Sequence, residues 1–401
     1  MATEWNIRLQ ARLDAQKSAG LERVLRTASG RGISMEVGGK QVVSFASNDY
    51  LGLSTHPNLA GAAERTVTQR GTGAGASRLV CGTKPEHVEL EKSLATFKRT
   101  QAALTFPSGY HAAQAVIQAL AGGKTDGAPG ISIFVDRLAH ASLLDGAMLA
   151  KEWGGASVRT FKHNDLIDLK ELLDKVPADV LALVVTESLF SMDGDVAPLK
   201  QLYELTESKD ALLLVDEAHA TGVFGTNGAG ALSEIFDHEL PTDLISMGTL
   251  SKALGSQGGF ICASKLIIDS IINSGRAFLF TTALAPVNAA AAQAGLNRLM
   301  TGQEETRRLA LLETCLTVRK KLTEQGWQVI EGSGPIIPIV IGDEARTLDV
   351  FNQLLSAGYW VPAIRFPTVA RGQARLRISL SAAHGQSHVD GLLAELQKLK
   401  K

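Results

Sequence analysis

Lys252 stands in the run Gly248-Thr249-Leu250-Ser251-Lys252-Ala253-Leu254-Gly255. Upstream, the apolar run Leu212-Leu213-Leu214-Val215 leads directly into Asp216-Glu217-Ala218-His219-Ala220-Thr221-Gly222. A lone lysine is usually a solvated surface residue, but this one is surrounded by small and hydroxylated side chains. Glycines let backbone approach a ligand closely, and the hydroxyls of Thr249 and Ser251 can bind phosphate. A partly desolvated pocket lowers an amine pKa enough for carbonyl condensation. A carboxylate placed directly after an apolar strand must be paired or must coordinate something, with a turn or cap residue as the ordinary alternative. The two segments together suit pyridoxal phosphate (PLP). The lysine would hold the cofactor as a Schiff base. Asp216 would keep its ring nitrogen protonated, so that the ring acts as an electron sink. His219 would reach the phenolic oxygen.

Three further segments could serve the same chemistry. Pro107-Ser108-Gly109-Tyr110-His111 lies between an expected strand and an expected helix. Free N–H groups at a helix start bind anions, although an ordinary capped turn has the same composition. His140, in Asp136-Arg137-Leu138-Ala139-His140, is either structural or able to stack on a cofactor ring. Ser191, in Ser188-Leu189-Phe190-Ser191-Met192-Asp193-Gly194-Asp195, could donate to the cofactor or hold its own loop. Asp-Glu-Ala-His also occurs in nucleotide-driven helicases, which need a phosphate loop. The nearest candidate, Gly122-Gly123-Lys124-Thr125, has Gln118 where that loop has its first glycine, and it ends a helix rather than opening one. There is no HExxH motif, no cysteine pattern for a metal, and no G-x-S-x-G elbow for a hydrolase.

The positioning elements read as a repeat of strand, loop and helix. Apolar runs rich in Val, Ile and Leu predict strands at 102–106, 131–135, 180–186, 211–215, 244–247 and 259–263. Continuous apolar strands fit a largely parallel sheet covered by helices on both faces, and ligands bind such sheets at their carboxyl ends. Ser108 to Tyr110, Asp136, Glu187, Asp216 and Thr249 all fall there. An amphipathic helix is expected over 6–15, a strand over 41–46, and a helix over 85–100. Beyond Pro286 the texture becomes α+β. A long helical region is expected over 289–325, with strands at 328–330, 336–341 and 375–379 and helices at 347–357 and 388–398. The organisation expected is an N-terminal segment (1–50), a large PLP-binding domain (51–288) and a smaller α+β C-terminal domain (289–401).

The chain has 401 residues with a formal net charge of −1 and 45% hydrophobic residues. That suits a globular protein with a large core. It provides no field of one sign to attract nucleic acid or a membrane surface. Cys81, Cys262 and Cys315 read as reduced thiols. The first residues lack the apolar region of a secretory signal, and no apolar run approaches a membrane span. A cytoplasmic location is expected.

Ser47 to Leu53, Asp136 to Gly146, Phe190 to Pro198, Asp216 to Gly225 and Gly248 to Gly255 together resemble the α-oxoamine synthases. These are fold-type I PLP enzymes that join an amino acid to an acyl thioester with loss of CO2. The resemblance covers about residues 5–400. The C-terminal runs Gly358 to Arg365, Pro367 to Val369 and Ala374 to His384 look most like the branch that condenses L-alanine with a pimeloyl thioester, pimeloyl-ACP or pimeloyl-CoA, in biotin synthesis. Phe366 departs from that branch, which commonly has proline there. Sister activities, glycine C-acetyltransferase or 5-aminolevulinate synthase, stay open, because the lysine loop is shared among them. Aminotransferase or aldolase chemistry without a thioester is a more distant alternative.

The resemblance implies catalytic roles for Lys252, His140 and Asp216. It implies cofactor contacts at Gly109, Tyr110, His140, Ser191, Asp216, His219, Thr249 and Lys252. Arg365 would hold the amino acid carboxylate by a bidentate fork, with Thr368 nearby and Arg23 in the acyl site. Asn48 and Tyr50 would line the entrance. The family is a homodimer with active sites at the interface, and Thr281 and Thr282 would reach the phosphate bound by the partner.

Overall fold

A computed structural model describes residues 3–122 and 130–400. The chain opens with a helix, Glu4–Ser18, whose residues are all exposed. Strands β1 (Ala28–Arg31), β2 (Ser34–Val37) and β3 (Lys40–Ser44) follow as an antiparallel meander.

Seven strands then build the central sheet: β4 (Ala102–Phe106), β5 (Ile131–Asp136), β6 (Ser157–Phe161), β7 (Leu181–Glu187), β8 (Ala211–Asp216), β9 (Leu244–Thr249) and β10 (Gly259–Ala263). Their order is β4-β10-β9-β8-β7-β5-β6. All neighbours pair in parallel except β10, which runs antiparallel to both β4 and β9. β5 and β9 are buried along their whole length, as strands covered on both faces must be. β6 differs: it is the edge strand, mostly exposed, and its sequence SVRTF has no apolar run, so no strand is expected from the pattern.

The C-terminal part contains β11 (Gln328–Val329), β12 (Ile336–Gly342), β13 (Tyr359–Trp360), β14 (Ala363–Ile364) and β15 (Ala374–Ser379). β11, β12, β15 and β14 make a small antiparallel sheet, while β13 crosses to pair in parallel with β3. The fold is thus the expected one, a large mostly parallel sheet with a smaller α+β part. The helical region expected over 289–325 is two helices, Pro286–Met300 and Glu305–Glu324. Gly302, at φ +72°, breaks them. The first of the two packs on helices Pro57–Arg70 and Pro85–Lys98.

The helix Gly109–Ala121 follows β4 as expected and ends at Gly122. Gly123 to Thr125, the rest of the GGKT run, lie outside the described residues. No helix among the described residues is long and apolar enough to cross a membrane.

Candidate active site

Strand order places the carboxyl ends of β5, β7, β8 and β9 side by side, with Asp136, Glu187, Asp216 and Thr249 as their last residues. Past Thr249 the chain turns, and Leu250 and Gly258 close the loop by a backbone bond (2.9 Å). This turn points the half-buried Lys252 back over the sheet end, where its Nζ lies 2.9 Å from His219 Nε2. The two loops touch closely. A Cβ on Gly222 (φ +81°) would fall 2.4 Å from the Ala253 Cβ.

The electrostatics follow from this packing. Burial lowers the Lys252 amine to about 8, against the pull of the Asp216 and Glu187 carboxylates. Burial raises Asp216, and Lys252 opposes that rise. Asp216 Oδ1 also accepts the Ala218 N–H at 2.8 Å, which fixes its orientation. His219 is buried and held well below its ordinary value, first by desolvation and then by Lys252, so it is neutral. Glu187 is driven well upward by burial and by the charge of Asp216. One Glu187 oxygen accepts the His140 backbone N–H at 2.5 Å. His140 itself caps the helix Ala141–Gly154 through Nδ1, and desolvation of its ring lowers its pKa.

Gly109 opens its helix against Thr249, where a Cβ would lie 3.8 Å from the Thr249 Cβ. Ser108 Oγ caps the His111 N–H (3.2 Å), which leaves the Gly109 and Tyr110 N–H groups of that first turn without intrahelical acceptors. The Thr249 hydroxyl, bonded to Ser251 Oγ (2.7 Å) and Gly258 O (2.8 Å), stands beside them. An anion would find donors here. The Tyr110 hydroxyl instead turns away to Asp145.

The loop carrying Ser191 is clamped from two sides. Arg377 Nε donates to Ser191 O (2.6 Å), and Arg375 binds Asp193. On the other side His163 bridges Asp136 (3.0 Å) and Asp195 (2.8 Å). Burial would lower the His163 pKa, but the two carboxylates outweigh it and raise it to about 10.

Ser191, His140 and Thr368 line one cleft of about 750 Å³, together with Pro367 and Arg375. Arg23 lines a second cleft of about 510 Å³ with Leu13, Lys17, Leu21 and Phe366, and Pro367 borders both. Arg365 lines neither cleft; its Nη1 donates to the Gly20 carbonyl (2.8 Å), tying the rim to the N-terminal segment. Thr281 and Thr282 follow the short helix Arg276–Leu279, and neither side chain bonds to the Lys252 cluster among the described residues.

One position, Tyr50, differs from the sequence reading. Tyr50 is wholly buried and bonds His219 Nδ1 at 2.5 Å instead of lining an entrance. Asn48 is half-buried and spends its side-chain oxygen on Arg377 and Tyr50. The turn after β3 is tied to β15 by the Asn48–Arg377 bonds and by the Ser379 N–H to Phe45 O bond (2.8 Å). Glu187 lies at the sheet end where it was expected, whereas Arg377 is a site-forming residue to which the sequence reading gave no role. The alternating arginines of Ala374-Arg375-Leu376-Arg377 within an apolar strand are the available signal for Arg377.

The aminotransferase class I and II family model matches residues 40–396. An 8-amino-7-oxononanoate synthase from Anaeromyxobacter dehalogenans is 42% identical over 396 residues, 98% of this chain and 95% of the relative. Among solved structures, a serine palmitoyltransferase from S. paucimobilis with a bound PLP–myriocin adduct superposes with TM-score 0.88 at 27% identity, covering 98% of this chain and 96% of that one. An 8-amino-7-oxononanoate synthase from Francisella tularensis superposes with TM-score 0.73 at 28% identity, covering 89% and 97%.

Proposed function

We propose that this chain, which belongs to the aminotransferase class I and II family and within it to the 8-amino-7-oxononanoate synthases, condenses L-alanine with a pimeloyl thioester. The products are 8-amino-7-oxononanoate, CO2 and the free thiol carrier, as in biotin synthesis. The observation that carries this activity is the 42% identity across 98% of the chain.

PLP, when bound, supplies an electron sink for the bond-breaking at the amino acid Cα. The donor set fits that group: a lysine with a softened amine, a buried carboxylate beside it, and a helix start flanked by a hydroxyl. Lys252 would carry the cofactor, and its pKa of about 8 leaves part of it neutral near pH 7, able both to condense with a carbonyl and to move a proton. Asp216 would hold the ring nitrogen. Gly109, Tyr110 and Thr249 would hold the phosphate through backbone N–H groups and a hydroxyl. His219, neutral, would face the cofactor's oxygen, and His140 at the cleft rim would stack on the ring. Ser191 and Thr368 would line the substrate cleft, with Arg365 for the alanine carboxylate. Arg23 and Phe366 would form the acyl end of the neighbouring cleft.

The working unit is a homodimer in the cytoplasm, with Thr281 and Thr282 reaching the partner's phosphate site. The exposed Trp5, Ile7, Leu9 and Leu13 of the first helix support this assembly, since the chain alone gives that apolar surface no cover.

The test is an acyl panel on purified enzyme with PLP. L-alanine with a pimeloyl thioester should be the preferred pair, read as CO2 release and product mass. Faster turnover of glycine with acetyl or succinyl thioesters, or of serine with a palmitoyl thioester, would replace the assignment with a sister one. Turnover without any thioester would remove it. Lys252→Ala should abolish both the visible cofactor band and turnover.

A further inference from the structure

Tyr50 has one hydroxyl proton and two acceptors within reach. Its Oη is 2.5 Å from His219 Nδ1 and 3.2 Å from Asn48 Oδ1. Asn48 Oδ1 also accepts from Arg377 Nη1 (3.2 Å) and Nη2 (3.3 Å). On the far side of the imidazole, Nε2 meets Lys252 Nζ at 2.9 Å. The result is an unbroken polar chain: Arg377, Asn48, Tyr50, His219, Lys252.

Donor counting allows two arrangements. With the Tyr50 proton on Asn48, Tyr50 Oη accepts from an Nδ1–H, Nε2 is bare, and it accepts from the Lys252 ammonium. With the Tyr50 proton on Nδ1, the imidazole proton moves to Nε2, which then donates to a neutral Lys252 amine. Asn48 keeps its two Arg377 donors in either case, so neither arrangement strands a buried acceptor.

We propose that Tyr50 is a positioning residue whose hydroxyl sets the tautomer of His219 and thereby whether the proton stays on Lys252. This rests on the reading of Lys252 as the cofactor-binding amine. Burial holds the Tyr50 phenol up to about 12 and His219 well below its usual range, so neither ionises and the tautomer is the remaining variable. The other groups that bear on Lys252 are the Asp216 and Glu187 carboxylates and the Arg377 guanidinium, and Lys252 in turn bears directly on His140. Among the described residues none of them hydrogen-bonds the amine; His219 Nε2 does.

Tyr50→Phe keeps the ring and its packing but leaves Nδ1 without a partner. A buried N–H without an acceptor is the costlier orphan, so the imidazole proton moves to Nε2 and the Lys252 ammonium loses its acceptor. The rate of visible-band growth on adding PLP, followed from pH 6.5 to 9.5, reports the neutral amine. Its midpoint should fall by about one pH unit relative to wild type, the size expected for one lost hydrogen bond to a charged group. Nitrogen-15 spectra of histidine-labelled protein should move the His219 signals from the Nδ1–H to the Nε2–H pattern. Asn48→Ala removes the competing acceptor, sends the Tyr50 proton to Nδ1 and should produce the same tautomer, so it carries the test if Tyr50→Phe does not fold. A wild-type protein that forms no band refutes the assignment of Lys252. A wild-type band with unchanged midpoint and unchanged His219 tautomer in the variants overturns the role of Tyr50.

Discussion

Lys98→Met tests whether the turn carrying Asp216 and His219 is held by one buried ion pair. Lys98 ends the helix Pro85–Lys98, and its Nζ donates to Glu217 Oε2 (2.9 Å), Thr221 Oγ1 (2.8 Å) and Ala229 O (2.8 Å). Both side chains are about 1% exposed. All three ammonium protons are therefore used, and the acceptors lie on the Asp216-to-Gly222 turn and the loop after it. Glu217 is completed by the Leu232 N–H (3.0 Å) and the Ser246 hydroxyl (2.8 Å). Methionine keeps most of the stem volume but leaves the carboxylate buried with only those two bonds. Breaking a buried pair in this way costs about 3–5 kcal/mol, because the surviving charge is uncompensated. Glu217→Gln added to Lys98→Met removes the stranded charge and keeps the acceptor for Leu232, so the double variant should recover a large part of that loss. Urea unfolding midpoints of wild type, both single variants and the double variant give the coupling directly. PLP affinity should fall in the Lys98→Met protein along with stability, because Asp216 and His219 ride on the same turn. A loss below about 1 kcal/mol, or strictly additive single effects, would refute the clamp.

Two other substitutions probe neighbouring supports. His163→Asn should cost about 2 kcal/mol near neutral pH, the scale of hydrogen bonds to a charged group. Because the folded-state pKa of His163 is raised to about 10, its contribution is complete below the unfolded value near 6.5 and is lost as pH rises through about 10. The gap between variant and wild type in thermal unfolding should therefore close toward pH 10, and a gap independent of pH would rule out the charged bridge. Gly222→Ala puts a side chain at φ +81° and a Cβ 2.4 Å from that of Ala253. The conformation alone costs about 1–2 kcal/mol, and relief of the clash must separate the Lys252 loop from the Asp216 turn. At least a tenfold loss of PLP affinity is expected by absorbance titration, and unchanged affinity would show that the two loops move independently.

The sheet was legible because its strands are short apolar runs whose polar residues gather at one end. β4 and β10 fall at their expected residues, and β7, β8 and β9 each run one or two residues further to include Glu187, Asp216 and Thr249. What stayed hidden had a local cause. β6 is an edge strand with polar residues facing solvent, and β1 and β2 are mostly exposed and carry no alternation to read. The site was half legible for a different reason. Lys252, Asp216 and His219 announce themselves by contrast with apolar or glycine-rich neighbours. Their partners do not, since Tyr50 meets His219 across 169 positions and Asn48 meets Arg377 across 329. A tyrosine following Ser-Asn-Asp reads as a turn residue until the strand that buries it is in place.

The sheet-end cluster and the cleft walls answer separate questions, which is why the comparisons differ in emphasis without conflict. A serine palmitoyltransferase shares the fold with TM-score 0.88 at only 27% identity, while the identity to an 8-amino-7-oxononanoate synthase reaches 42%. Fold alone does not choose a substrate. Lys252, Asp216, His219 and Thr249 sit on strand ends and their adjoining turns. The larger cleft is walled by the sheet-end loops at 137–144 and 191–193 together with the rim from Pro367 to Gln373, and the second cleft by N-terminal residues between Gln10 and Arg23 with Phe366 and Pro367. There Arg371 stacks 4.4 Å over Phe366. Pro367 borders both clefts, and a change of wall shape at Phe366 falls in the cleft lined by Arg23, away from the amine and its carboxylates. The rim at Phe366 can therefore change shape without moving the residues that β8 and β9 position.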